Sequence, residues 1–138
     1  NVLFSLIEVI GFTKNTKVDV FTDEKIFLKS KDIFNINENI NFHFEINESI
    51  ISKGNCIMTD VFTSMNDKED KENLLSKFQV NDQIMSLTNE KSVFMHCLPA
   101  KIGSEVSEDV IKGEKSIVLA QARNRLVAQK GILKWLSI

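Results

Sequence analysis

Apolar residues recur every three to four positions through the first eleven residues, at Val2, Leu3, Leu6, Ile7, Val9 and Ile10, and the run stops at Gly11. That period predicts a helix with a glycine stop. Residues 17–21 change to a period of two with β-branched residues, which predicts a strand. Thr22-Asp23-Glu24 opens a helix expected over 24–34. Residues 40–46 alternate again, a second strand. Asn47-Glu48 starts a short helix over Ile50 and Ile51, which Gly54 ends. Residues 56–58 read as a buried strand that runs into Thr59-Asp60-Val61-Phe62.

The next stretch, 63–73, is polar and reads as a solvated loop and helix start. Leu74, Leu75 and Phe78 restore a short apolar face, and Asn81 can cap a helix over Ile84, Met85 and Leu87. Residues 92–95 form a central strand, residues 104–111 a short helix, and residues 116–119 a last buried strand. A final helix is expected from about Gln121 to Leu136. Strands alternate with helices throughout, so the expected fold is α/β, an open parallel sheet with helices on both faces, Rossmann-like.

Composition narrows the classes. With 138 residues, 43% apolar and 26% charged, the chain is long enough for one domain with a core. A net charge of −2 gives no basic field for nucleic acid or an anionic membrane. No apolar run is long enough to span a bilayer. Two cysteines without CxxC spacing point to free thiols and a reducing cytoplasm. No ligand spacing supports a metal site, and no glycine-rich fingerprint supports a nicotinamide cofactor. The chain opens directly in an amphipathic pattern without Met, as a fragment would.

In open α/β sheets ligands bind beyond the carboxyl ends of strands. Three clusters fall there. Asp60, with Ser64 and Met65 nearby, suits an amino acid: a carboxylate for the ammonium, a hydroxyl and N–H groups for the carboxylate. The ordinary alternative is a helix N-cap. Phe94-Met95-His96-Cys97-Leu98-Pro99 holds the only proline, one of two histidines and one of two cysteines. Cys97 is a nucleophile, a polar contact or simply a small buried apolar residue. His96 is not expected to act as its base unless the turn begins at His96, because neighbours on a strand face opposite ways. Arg125, at the expected start of the last helix, asks for an anion or a carboxylate, since the helix dipole disfavours a cation there; a surface ion pair is the plainer account.

Asp60-Val61-Phe62-Thr63-Ser64-Met65, then Phe94 to Ala100, then Ala122-Arg123-Asn124-Arg125-Leu126-Val127-Ala128-Gln129-Lys130 together resemble the carboxy-terminal half of the ornithine carbamoyltransferases. Cys97 within the His-Cys-Leu-Pro element separates them from aspartate carbamoyltransferases. The resemblance implies an ornithine-binding domain over 1–138 and an enzyme that condenses carbamoyl phosphate with the δ-amino group of L-ornithine, giving citrulline and phosphate, within arginine synthesis. By motif, Asn1, Asp60, Ser64 and Met65 would contact ornithine, with Asp60 on the α-ammonium. Cys97, Leu98 and Arg125 would sit at the carbamoyl group, with no cofactor or metal. The family implies homotrimers.

The chain departs from the family's pattern in places. The resemblance implies a strand before Asn1 and an amino-terminal carbamoyl-phosphate-binding domain that residues 1–138 do not contain, so these residues alone are expected to be inactive and part of the apolar face of 126–136 to be exposed. Asn66 replaces a usual Gly, the segment between Phe21 and Ile40 is short, and Ala120, Gln121 and Arg123 stand where acidic residues are usual. The remaining alternatives are an acceptor such as putrescine or an acylated ornithine, and a non-catalytic amino-acid-binding paralogue.

Overall fold

Two pairs of parallel strands form the frame of the computed structural model, which describes residues 2–31, 38–63 and 71–137. In order, the elements are α1 (Val2–Ile10), β1 (Val18–Phe21), α2 (Glu24–Ser30), β2 (Ile40–His43), α3 (Glu48–Ile51), β3 (Cys56–Thr59), α4 (Glu72–Leu75), a 3₁₀ turn (Ser76–Phe78), α5 (Asp82–Leu87), β4 (Val93–His96), α6 (Glu108–Lys112) and α7 (Val118–Leu136). β1 pairs with β2, Val18 opposite Ile40. β3 pairs with β4, Cys56 opposite Val93 and Thr59 opposite His96. The α/β alternation read from the sequence is the observed fold. Among the described residues, the sheet comes as these two pairs rather than as one continuous ladder.

Each pair has its own core. Ile7 and Ile10 of α1 pack on Val20 and Ile40, which is why the apolar face of the first helix has its three-to-four spacing. The second core joins Val80, Met85, Phe94, Val106, Val110 and Val118. Phe94 at its centre is completely buried. Side-chain caps set the helix starts: Asp23 accepts from the Lys25 N–H, Asn47 from Ser49 and Asn81 from Ile84.

Several elements differ from the pattern. Residues 116–119 are not a strand. Ser116 makes a single parallel bridge to Phe94, with Phe94 N donating to Lys115 O and Ile117 N to Phe94 O, and helix follows at once from Val118. The sequence Leu119-Ala120-Gln121-Ala122 favours helix, and one bridge suffices to seat it. The strand expected over 40–46 ends at His43; Lys77 Nζ binds Phe44 O and the Glu45 carboxylate just past it. The helix expected over 104–111 starts only at Glu108, because Val106 is taken into a parallel bridge with Val80. Cys56, expected buried, is exposed at the edge of β3. The later half of the helix expected over 24–34 lies outside the described residues.

Beyond its first turn α7 stands clear of both cores. Leu126, Val127, Leu133 and Trp135 are more than half exposed, Trp135 at 75%. This agrees with the expectation of an exposed apolar face on the last helix.

Candidate active site

Parallel register puts the carboxyl ends of β3 and β4 side by side, and the residues just after them, Asp60 and Cys97, meet there. Cys97 Sγ donates to Asp60 Oδ1 at 3.0 Å, and the Val61 N–H donates to the same oxygen at 2.7 Å. Both contacts fall on Oδ1. Among the described residues Asp60 caps no helix; it is held by its own loop and by the thiol.

The environment of Cys97 sets its chemistry. Burial, the hydrogen bond to Asp60 and that carboxylate's negative charge push the thiol up to about 12. A thiol so poised stays protonated at neutral pH and is a hydrogen-bonding group, not a nucleophile. His96, as strand alternation requires, points the other way into the core, so there is no Cys–His dyad. Its Nε2 lies 3.2 Å from Glu105 Oε1, both residues fully buried, and its Nδ1 accepts from the Leu98 N–H at 3.0 Å.

Leu98 is held at φ 41°, the left-handed region, before a cis peptide bond to Pro99. A branched side chain there costs about 1–2 kcal/mol. Leu98 is 40% exposed beside Cys97, so the distorted residue lies at the strand-end site.

Helix α7 reaches the same strand end. The His96 N–H donates to Gln121 Oε1 at 3.0 Å. Arg125, four residues on, shares that helical stripe. It is exposed, and among the described residues it has no ion-pair partner. The helix begins at Val118, so Arg125 lies two turns in and not at the helix start as expected. The argument from the dipole falls away, since that effect is confined to the first turn.

The structure thus joins Asp60 and Cys97 directly, with Leu98 next in the chain and Arg125 along the helix that caps β4. Asn1, Ser64 and Met65 lie outside the described residues. Two residues were not singled out as part of the site from the pattern: Gln121, which holds the end of β4, and Glu105, which holds His96. A buried carboxylate within an apparently amphipathic stretch leaves no periodic signal. Among the described residues, no group of three or more His, Cys, Asp or Glu side chains is placed to hold a metal, and no helix is long and apolar enough to cross a membrane.

Residues 1–136 match the family described as aspartate/ornithine carbamoyltransferase, Asp/Orn binding domain. The chain belongs to that family. It is 50% identical over 90 residues to the ornithine carbamoyltransferase of Rhodopseudomonas palustris strain BisA53, covering 64% of this chain and 29% of that protein. The ornithine carbamoyltransferase of Thermus thermophilus superposes with a TM-score of 0.74 at 31% identity, over 96% of this chain and 43% of that one. That of Burkholderia thailandensis superposes with a TM-score of 0.81 at 26% identity, over 97% and 43%. The chain therefore spans less than half the length of these relatives.

Proposed function

We propose that residues 1–138 are the ornithine-binding domain of a two-domain ornithine carbamoyltransferase, with an amino-terminal domain supplying most of the carbamoyl phosphate site. The observation that carries this reading is the Asp60–Cys97 pair at neighbouring strand ends, in a chain whose relatives are named ornithine carbamoyltransferase. Asp60 takes the α-ammonium of L-ornithine, and Asn1, Ser64 and the Met65 backbone take its carboxylate. Asp60 together with Ser64 and Met65 favours a free α-amino acid: an acylated nitrogen has no charge for Asp60 to pair with, and putrescine has no carboxylate for Ser64 and Met65 to hold. The neutral δ-amine attacks the carbamoyl carbon. The bond from that carbon to the phosphate oxygen breaks, the amine loses a proton, and citrulline and phosphate leave.

Cys97 serves as a hydrogen-bonding contact for the reacting groups, in keeping with its raised thiol. Leu98 and Arg125 face the carbamoyl group, where the guanidinium opposes the negative charge that builds on the carbonyl oxygen. The full protein is a cytoplasmic homotrimer of arginine synthesis. Domain 1–138 alone is inactive for want of the carbamoyl phosphate site.

The decisive assay joins this chain to the amino-terminal part of a relative and measures carbamoylation of L-ornithine, putrescine and N-acetylornithine. Turnover of ornithine alone is expected, with Arg125→Ala lowering kcat about 10²–10³-fold. Ornithine binding without turnover of any acceptor overturns the reading and leaves an amino-acid-binding paralogue, for which Ala120, Gln121 and Arg123 are the sequence markers.

A further inference from the structure

Glu105 is completely buried, and the chemistry above makes no use of it. Its Oε1 accepts from His96 Nε2 at 3.2 Å and from the backbone N–H of Lys101. Its Oε2 has no hydrogen-bond partner among the described residues. A carboxylate placed this way is a poor stabiliser, because desolvation of a buried ion is repaid only when its lone pairs are well satisfied. Packing alone is served as well by an uncharged side chain of similar volume.

The position of Glu105 is nevertheless firmly set. Val80 N donates to Glu105 O and Ser107 N to Val80 O, each at 3.0 Å, around the Val80–Val106 bridge. The turn before it is closed by Ser104 N to Lys101 O, with Gly103 at φ 90°, where a side chain would be strained.

What Glu105 controls is the histidine. His96 Nδ1 accepts from the Leu98 N–H, so that nitrogen carries no proton and the neutral ring holds its proton on Nε2. The Nε2–H then donates to Glu105. Were the proton to move to Nδ1, it would face the Leu98 N–H, donor against donor. Leu98 is the residue held at φ 41° beside Cys97.

We propose that Glu105 is a positioning residue: through His96 it selects the ring tautomer that holds the Leu98 N–H, and so fixes how Leu98 and Cys97 meet the ligand. The kinetic consequence rests on the transferase reading; the tautomer is a property of the chain itself.

The test is ¹⁵N NMR of the imidazole in the full chain carrying His43→Gln, which leaves His96 as the single histidine. The parent should show a protonated Nε2 and an unprotonated Nδ1. Glu105→Ala should give mixed tautomers and move the Leu98 amide resonance, while Glu105→Gln, which keeps an acceptor oxygen, should retain the Nε2–H form. In the chain joined to a relative's amino-terminal part, kcat should fall up to about a hundredfold in Glu105→Ala, the scale of a misplaced reacting group, and recover most of that in Glu105→Gln. An unchanged tautomer and Leu98 amide in folded Glu105→Ala overturns the proposal, whatever happens to kcat.

If Glu105→Ala does not fold, Glu105→Asp withdraws the carboxylate by one methylene. A weakened Nε2–H signature with a parallel loss of kcat then supports the proposal, and an unmoved signature overturns it. Absence of ornithine turnover in the parent counts against the transferase reading alone, because the tautomer is read without substrate.

Discussion

Cys97 and Asp60 are 37 residues apart in sequence and 3.0 Å apart in space, thiol to carboxylate, at the ends of two neighbouring parallel strands. The pair explains why a cysteine at a strand end is kept out of nucleophilic chemistry. Its proton is shared with an anion, and removing it would leave two negative charges in contact within a half-buried site.

Replacement of Asp60 by Asn should therefore make Cys97 more acidic. In a Cys56→Ala background, alkylation by iodoacetamide at pH 8 should be slow in the parent and faster in Asp60→Asn. The gain is partial, because burial, the largest cause of the shift, remains. Equal rates in the two proteins would mean that the carboxylate does not govern the thiol.

The same pair makes an alkaline prediction. The thiol ionises near 9 in the unfolded chain and is pushed up to about 12 in the folded one. Between those values the unfolded state binds fewer protons than the native state, so stability falls as pH rises. Below about 9 both states keep the proton and the contribution is constant. The difference in urea midpoint between the parent and Cys97→Ala should therefore shrink from pH 9 to pH 12. A pH-independent difference over that window would contradict the assignment.

Gln121 ties α7 to the end of β4 through one hydrogen bond to the His96 N–H. Gln121→Ala should cost about 1 kcal/mol in denaturant unfolding, the usual net worth of such a bond. Gln121→Glu keeps an acceptor and adds a carboxylate one turn before Arg125, worth about 0.3–0.5 kcal/mol as an i,i+4 pair. It should be at least as stable as the parent, and a loss beyond that of the alanine variant would contradict the assigned bond.

The exposed face of α7 predicts association without loss of fold. Leu126→Lys with Leu133→Lys should leave the urea midpoint within about 0.5 kcal/mol of the parent, as surface changes do. Sedimentation should show less self-association, and the single tryptophan, Trp135, should emit as a solvated indole. A large fall in stability would show that the face is packed.

The sequence alone determined the order of elements, because period-two and three-to-four apolar spacing report which side of each segment is buried. It also placed Asp60, Cys97 and Leu98 at strand ends, since Pro99 and the apolar runs before it limit where β4 can stop. Alternation argued against a His96–Cys97 dyad provided β4 ran through His96, and the structure met that condition. The length of short strands was less legible. Residues 116–119 look like a buried strand, yet a single bridge to Phe94 and the helix preference of Leu119-Ala120-Gln121 turned them into the start of α7.

Tertiary structure decided what periodicity does not encode. The protonated state of Cys97 depends on a carboxylate 37 residues away, brought near by the pairing of β3 with β4. The burial of Glu105 depends on the Val80–Val106 bridge, which takes it out of the helix its neighbours predict. Both are long-range contacts between polar groups. Local pattern records where apolar surface must go; which donor meets which acceptor at a strand end is fixed only when the strands pair.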